Sequence, residues 1–432
     1  MRYTRFIGAT ATFGIAAATL AGCAAGTTAS PEEGGEDVEL TVTWWGSEER
    51  IAKYEESFDI FEEEHPGVTV TGVPMDYQSY WTARSTEAAA RTLPDIMQFD
   101  PANLGDYSRN DLLLDLTPYI GDTIDFSNVD ENVLASSEFD GGHYGVPIGT
   151  STLGLYYNPE LGAAAGVEPL DPDYTWADLS AWVTEVAAAG ATNADGQAVY
   201  GGLGQGTSIW LFLQWLLQQG TAPFTEDGGL AFTQDDIVDY LSLDTSARDA
   251  GAYLPPDRAT QISPLDGFAM EEAATVLAWD NYYARYAPET GDDIEVLPVP
   301  SNEDGEKSMF FLVSNMAVAA NTAHPDEATE LADFLFRDPR VAEIFGTDRG
   351  IPVDSETLAG FEVEPGSGDE KVIAYEEQVA ADYATEVAPK LPGGFATLES
   401  QWVRLNGELG YGNVTPEQFA EQWWAEAELA VG

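Results

Sequence analysis

Residues 38–100 constrain the fold more than any other stretch of this chain. Val38, Leu40, Val42 and Trp44 alternate with Glu39, Thr41 and Thr43, which is the two-residue period of a strand. Ile51, Tyr54, Phe58 and Phe61 then recur every three or four residues. They make the buried stripe of a helix from Glu48 to Glu64, ended by Pro66-Gly67. Val68-Thr69-Val70 opens a second strand. The spacing predicts a second helix from Tyr77 to Arg91, and Asp95-Ile96-Met97-Gln98-Phe99 is a third strand that ends at Asp100. Strand and helix alternate as βαβαβ, which makes a parallel sheet with right-handed crossovers.

The alternation continues down the chain. Tyr144-Gly145-Val146-Pro147 leads through Gly149-Thr150-Ser151 into Leu153 to Asn158. Thr175 caps a helix whose Leu179, Trp182, Val183 and Val186 share one face, closed by Gly190. Ile209 to Gln219 is a mostly apolar helix with two tryptophans, and Ala274 to Trp279 is a buried strand ending in Asp280. Thr415-Pro416-Glu417-Gln418 starts a late helix that Phe419, Trp423 and Ala427 continue. Its Trp423-Trp424 pair is read as packing. No repeat of 20 to 50 residues is visible. The 395 residues after position 37 (432 − 37) suit two lobes, and their class is α/β.

The N-terminus reads differently. Arg2 and Arg5 precede the apolar run Phe6 to Leu20, too short and too rich in small residues for a membrane span of roughly 20 apolar residues. Leu20-Ala21-Gly22-Cys23 follows. This is the pattern of a bacterial lipobox, with residues 1–22 as signal peptide and Cys23 as the lipidated N-terminus. The alternative is a secretory peptide that happens to contain a cysteine. Cys23 is the only cysteine, so the body folds without disulfides. Ala24 to Asp37 is small, polar and acidic, a flexible tether with a reach of about 20 Å.

Seventy-five acidic residues face 17 basic ones; without Arg2 and Arg5 the balance is 15 − 75 = −60. A phosphate backbone needs a basic face, so no nucleic acid is expected as partner. Anionic lipid headgroups would be repelled too, leaving membrane contact to the acyl chains. Acids dispersed this way point to a halophilic or marine source as a hypothesis. Metal and cofactor chemistry is not expected. His65, His143 and His324 have no ligand spacing, and Gly201-Gly202-Leu203-Gly204-Gln205-Gly206 lacks the Lys-Ser/Thr of a phosphate loop. It is read as a loop near a close backbone approach. No Gly-x-Ser-x-Gly elbow exists. A carboxylate pair of glycosidase type stays open, because sequence cannot fix a separation among so many acids.

Several segments together resemble the extracellular sugar-binding proteins of ABC importers, solute-binding protein family 1, relatives of maltose-binding protein. They are the lipobox; Val42-Thr43-Trp44-Trp45-Gly46-Ser47; Phe61-Glu62-Glu63-Glu64-His65-Pro66-Gly67-Val68; Leu93-Pro94-Asp95-Ile96-Met97; Tyr144 to Pro147 with Tyr156-Tyr157-Asn158-Pro159; and His324-Pro325-Asp326-Glu327-Ala328. The resemblance implies a two-lobed periplasmic-binding-protein-like fold. Each lobe is then a mostly parallel sheet flanked by helices, and hinge segments join the lobes. One lobe takes 38–149 plus 302–347, the other 150–301 plus 348–432. Crossings fall near Gly149-Thr150, Pro298 to Ser301 and Gly350-Ile351, where small residues and prolines can absorb dihedral change. It also implies a monomeric, non-enzymatic receptor anchored on the outer face of the cell membrane. Such a receptor captures a mono- or oligosaccharide and delivers it to an ABC permease. A receptor for another solute, or a tethered glycoside hydrolase, is the alternative.

Ligands of open parallel sheets bind beyond the carboxyl ends of the strands. A sugar needs flat aromatics for its C–H faces and short polar groups for its hydroxyls. Trp44 continues the inward alternation, so Trp45 is the candidate stacking platform, with Ser47 beside it; both tryptophans in the core is the competing reading. Asp100 and Asn103 follow the third strand, and Tyr77 is placed in a βα loop. Thr150 and Ser151 lie at a crossing, Trp210 starts a helix, and Trp279 and Asp280 end a strand. Phe395, after Gly393-Gly394, matches a stacking aromatic of some relatives. The acid and arginine expected after Asp100 in maltose-binding protein are Ala102 and Asn103 here, so maltose is not assumed.

Overall fold

The computed structural model describes residues 37–171, 173–225, 227–290, 294–302 and 307–431. The signal segment, Cys23 and the tether to Glu36 lie outside them. Strand β1 (Val38–Trp45), helix α1 (Glu48–Glu64), β2 (Val68–Met75), α2 (Tyr77–Ala90) and β3 (Ile96–Phe99) follow the predicted order. β1 pairs with β2 and β3, both in parallel. Trp44 is fully buried against Tyr54, with ring centroids 4.1 Å apart, and against Phe58 at 5.8 Å. Gly72 in β2 makes room for it: a Cβ there would stand 2.6 Å from the indole.

Beyond residue 100 the sheet is mixed rather than mostly parallel. Strands β4 (Val146–Tyr157), β5 (Thr275–Trp279), β6 (Glu295–Pro298), β7 (Ser308–Val318) and β8 (Ala384–Val387) extend it in the order β2-β1-β3-β7-β4-β5, with β8 on β7 and β6 on β4. The β3/β7, β7/β4, β4/β5 and β4/β6 pairs are antiparallel, and only β7/β8 is parallel. The cause is the length of β4 and β7. Val146 to Thr152 of β4 pair with β7, then Leu153 to Tyr157 pair with β5 and β6. What reads in sequence as a break near Gly149 is a bulge between Pro147 and Gly149 in one continuous strand.

These two strands thread two large apolar cores. Val146 and Ile148 pack with Trp44, whereas Leu153, Leu155 and Tyr157 pack with Trp210 and Trp402. β7 divides likewise, Val313, Met316 and Val318 on one side and Met309 and Phe310 on the other. Helices α4 (Trp176–Ala188) and α5 (Ile209–Gln218) belong to the second core, with α6 (Phe395–Gly410) and α7 (Pro416–Ala430). The expected caps form at Thr175 and Thr415, each as a capping box. The Gly201 loop does lie against backbone, since a Cβ there would reach 2.1 Å from the Val183 carbonyl oxygen.

Two of the three predicted crossings touch. Thr150 N donates to the Ile351 carbonyl at 2.9 Å, and Ile351 N returns a bond to the Thr150 carbonyl at 2.8 Å. Gly350, at φ +99°, could carry no side chain, because its Cβ would fall 2.5 Å from the Thr150 oxygen. The third crossing pairs elsewhere: Ser301 N donates to Tyr174 O at 3.0 Å. Beside Gly350, the Asp348 carboxylate takes two bonds from the buried Arg50 guanidinium, Nη2 at 2.6 Å and Nε at 3.2 Å.

Candidate functional site

The carboxyl ends of β1 and β3 bring the first set of candidates together. Ser47 is exposed and caps α1, its Oγ accepting from Arg50 N at 3.3 Å. Trp45 lies outside the apolar cores and is half-buried. Its ring meets Tyr77 and Tyr80 edge-on at 5.5 and 5.1 Å, and Trp81 at 6.0 Å. Tyr77 is not in a loop. It opens α2, because Asp76 takes the capping position. From there its phenol donates to Asp100 Oδ2 at 2.8 Å. Asp100 in turn caps α3 (Pro101–Arg109), and its Oδ1 accepts from Asn103 N and Nδ2, each at 3.2 Å. Burial raises the Asp100 carboxyl above its ordinary range, although the bonds from Tyr77 and Asn103 oppose the shift.

A second set stands on the other core. Trp210 Nε1 donates to Glu399 Oε1 at 2.8 Å, and its ring meets Trp279 at 6.0 Å and Phe395 at 5.1 Å. Helix α3 bridges the two sets. Gly394 N, at the start of α6, donates to Asp106 Oδ2 at 2.9 Å, and Ala102 packs into the core of Trp210 and Phe395. Asp100 at the head of α3 therefore acts on Glu399 in the second turn of α6. Burial and then the Asp100 charge push the Glu399 carboxyl up to about 7. Tyr282, just past β5, is half-buried within electrostatic reach of both Tyr77 and Arg50.

The remaining candidates are placed differently. Phe395 is fully buried behind Trp210 and offers no ring face to a ligand. Asp280 is fully buried too; neither carboxylate oxygen meets a donor at hydrogen-bonding geometry. Desolvation, with Glu376 alongside, raises its pKa well above the carboxylate range. Ser151 is buried, and Thr150 holds the ladder to Ile351. Glu399, Tyr282 and Trp81 went unread in the sequence. Glu399 stands four residues after Phe395, one turn on, but nothing set it apart among 75 acids. A cavity of about 630 Å³ lies beside α3, lined by Ala102, Asp106, Arg109, Phe139, Val387 and Lys390 among others. None of the candidates lines it.

The Glu399 shift makes a stability statement. Its folded pKa lies above the unfolded value of about 4.3, so the folded state holds the proton more tightly. The group favours folding below pH ~4.3 and loses that advantage as pH rises to about 7. Glu399→Gln should therefore melt higher than the parent at pH 8, by about 2–4 °C per kcal/mol relieved. The difference should shrink toward pH 4.5. A melting difference independent of pH between 4.5 and 8 would refute the assignment.

No helix among the described residues is long and apolar enough to cross a membrane, and no group of three or more His, Cys, Asp or Glu among them could hold a metal ion. A protein of Brucella abortus (strain 2308), named as a binding protein, is 24% identical over 347 residues, spanning 79% of this chain and 81% of its own. Among solved structures, an ABC substrate-binding protein from Listeria monocytogenes in complex with cycloalternan superposes with a TM-score of 0.76 at 20% identity, covering 91% of this chain and 98% of that one. A periplasmic oligogalacturonide binding protein from Yersinia enterocolitica, in complex with saturated digalacturonic acid, does so with 0.77 at 19%, covering 91% and 98%. These likenesses show the fold. The sequence profile described as bacterial extracellular solute-binding protein matches residues 56–365, well over half the chain. The chain belongs to the bacterial extracellular solute-binding protein family.

Proposed function

We propose that this chain is the substrate-binding subunit of an ABC importer, capturing a mono- or oligosaccharide between two lobes and delivering it to the membrane permease. One observation carries the reading. Half-buried Trp45 and exposed Tyr77 gather with Asp100 within electrostatic reach of Glu399, which holds the Trp210 indole, and of half-buried Tyr282. Flat apolar faces beside oriented acceptors suit the two surfaces of a sugar ring. Fold relatives in complex with cycloalternan and with saturated digalacturonic acid support it. We take the lobes as 38–149 with 302–347 and 150–301 with 348–432, a division the two cores support except at Ala102, Met309 and Phe310, which pack into the second core, and we take the Thr150–Ile351 contact as the hinge.

A sugar library read by thermal shift tests this. Binding at 100 times Kd adds about 2.7 kcal/mol of apparent stability. If no mono- or oligosaccharide raises the melting temperature, the reading fails. The protein acts as a monomer and without turnover. The Glu399 carboxyl opposite Asp100 is also what a glycoside hydrolase would require, so reducing ends released from a bound oligosaccharide would replace the receptor by a hydrolase. Cys23 anchors the chain through lipid to the outer face of the cell membrane. Cys23→Ser should then appear in the medium; an unacylated variant that stays on membranes would remove the anchor.

A further inference from the structure

Arg349 is a guanidinium buried with too few partners. It is 5% exposed. Its Nη2 donates to the Leu335 carbonyl at 3.0 Å, but Nε and Nη1 meet no acceptor among the described residues. The guanidinium carbon lies 3.7 Å from the centre of the Phe345 ring and 5.7 Å from that of Tyr54, and these faces offset part of the charge. The Tyr54 phenol is near, yet it closes no hydrogen bond to Nε or Nη1, and its own hydroxyl points to Met316 Sδ at 3.8 Å. Asp348, the preceding residue, is already engaged: Arg50 binds it at 2.6 and 3.2 Å, and Lys53 Nζ stands 3.7 Å away. Arg50, Lys53 and Arg349 thus all act on one buried carboxylate, a local excess of positive charge in a chain whose formal charge is −58. Burial depresses the Arg349 pKa, and the neighbours do not restore it. A buried charge short of partners is costly to fold, so a partner is wanted here.

A small cavity adjoins this side chain. It holds about 10 Å³ and is lined by Arg349 with Ile148, Phe336, Ala342, Phe345 and Pro352 among others. Space of that size takes one small occupant. Arg349 is the only lining side chain with a polar group. A water there would bring two O–H groups of its own, and no lining side chain can accept them. A halide only accepts, and its full charge offsets that of the guanidinium. One free N–H edge of Arg349 is enough to hold it. Phosphate and sulfate, with five heavy atoms each, exceed the space. We infer that Arg349 and this cavity form a binding site for a monatomic anion of chloride size. Ile148 and Gly350, which also line the cavity, flank the Thr150–Ile351 crossing, so the ion sits at its foot.

Thermal melts at fixed sodium concentration test this, with chloride exchanged stepwise for methanesulfonate, a monovalent anion too large for the cavity. Screening is the same in both salts. The parent should melt roughly 2–5 °C higher in chloride, and the gain should saturate, as occupation of a single site requires. Bromide should act like chloride, and crystals grown in bromide should show an anomalous peak at hydrogen-bonding distance from the Arg349 guanidinium. Arg349→Gln should abolish the chloride gain. Ala342→Val narrows the cavity and keeps the charge; it should weaken the chloride dependence ten-fold or more, and it carries the test if the Arg349 variant does not fold. Equal melting in the two salts, a chloride gain that neither substitution reduces, or bromide crystals without a peak at Arg349 would each overturn the inference.

Discussion

Trp44→Ala should lower the stability of the empty protein by about 3–5 kcal/mol, the cost of emptying a buried aromatic site. Trp45→Ala, one residue on, should leave the melting temperature nearly unchanged and cut sugar affinity instead. The contrast follows from strand geometry, which points neighbours to opposite faces. Trp44 is sealed against Tyr54, Phe58 and the space left by Gly72. Its neighbour keeps a half-exposed ring beside Tyr77, whose phenol holds Asp100. The Trp45 carbonyl accepts from Arg50 Nη1 at 3.0 Å and its backbone pairs with Met75 of β2, and alanine retains both. Trp45→Phe should keep part of the affinity, since a smaller ring still presents a flat face. Thermal melts and titrations on the three variants check this. Equal destabilisation by both alanines would place both indoles in the core and move the stacking surface to Trp279 or Tyr282.

Asp348→Ala should be comparably severe. Its carboxylate receives Arg50 Nη2 and Nε, lies 3.7 Å from Lys53 Nζ, and both partners of the main pair are buried. Breaking such a pair leaves a buried guanidinium uncompensated, at about 3–5 kcal/mol. Asp348→Asn keeps an acceptor and should cost less. Burial alone would raise the Asp348 pKa, but the charge and hydrogen bonds of Arg50, with Lys53, hold it below the ordinary value. The pair's contribution is therefore present above the unfolded aspartate pKa of about 3.9 and is lost as pH falls through the lower folded value. Denaturant melts of parent and Asp348→Ala should converge as the pH falls well below the unfolded aspartate value of about 3.9. A gap that stays constant into acid would mean the loss is one of packing rather than charge.

How far could the sequence be read? β1 and α1 were legible because each buries mainly one face, and a one-faced element writes its period into the chain; β3 is buried throughout and was legible as a short apolar run bounded by Pro94 and Asp100. β4 was not, because Val146 to Tyr157 is buried on nearly all sides and its single interruption, Gly149, looks like a boundary. The antiparallel partners of β4 and β7 lie more than a hundred residues away, and no local pattern announces them. At the site, Asp100 and Trp45 could be picked out because they end strands. Glu399 could not, since its environment is made by α3 and Trp210. Phe395 misled for a local reason: Gly394 at φ +80° turns the chain so that the ring after it enters the core.

The threading of β7 between β3 and β4 also sets an order of assembly. β3 has β1 on one flank and β7 on the other, and the Gln98–Met316 register joins residues 218 apart (316 − 98). Until residue 318 has been synthesised, the edge of β3 has no partner and the core around Trp44 lacks Val313, Met316 and Val318. At about 5–20 residues per second, that wait lasts roughly 10–40 s. Closing so long a loop early is entropically unfavourable, and the contacts that repay it come late. The N-terminal half of this chain thus leaves the ribosome as a polymer without a finished core, a state in which a narrow export channel could still accept it.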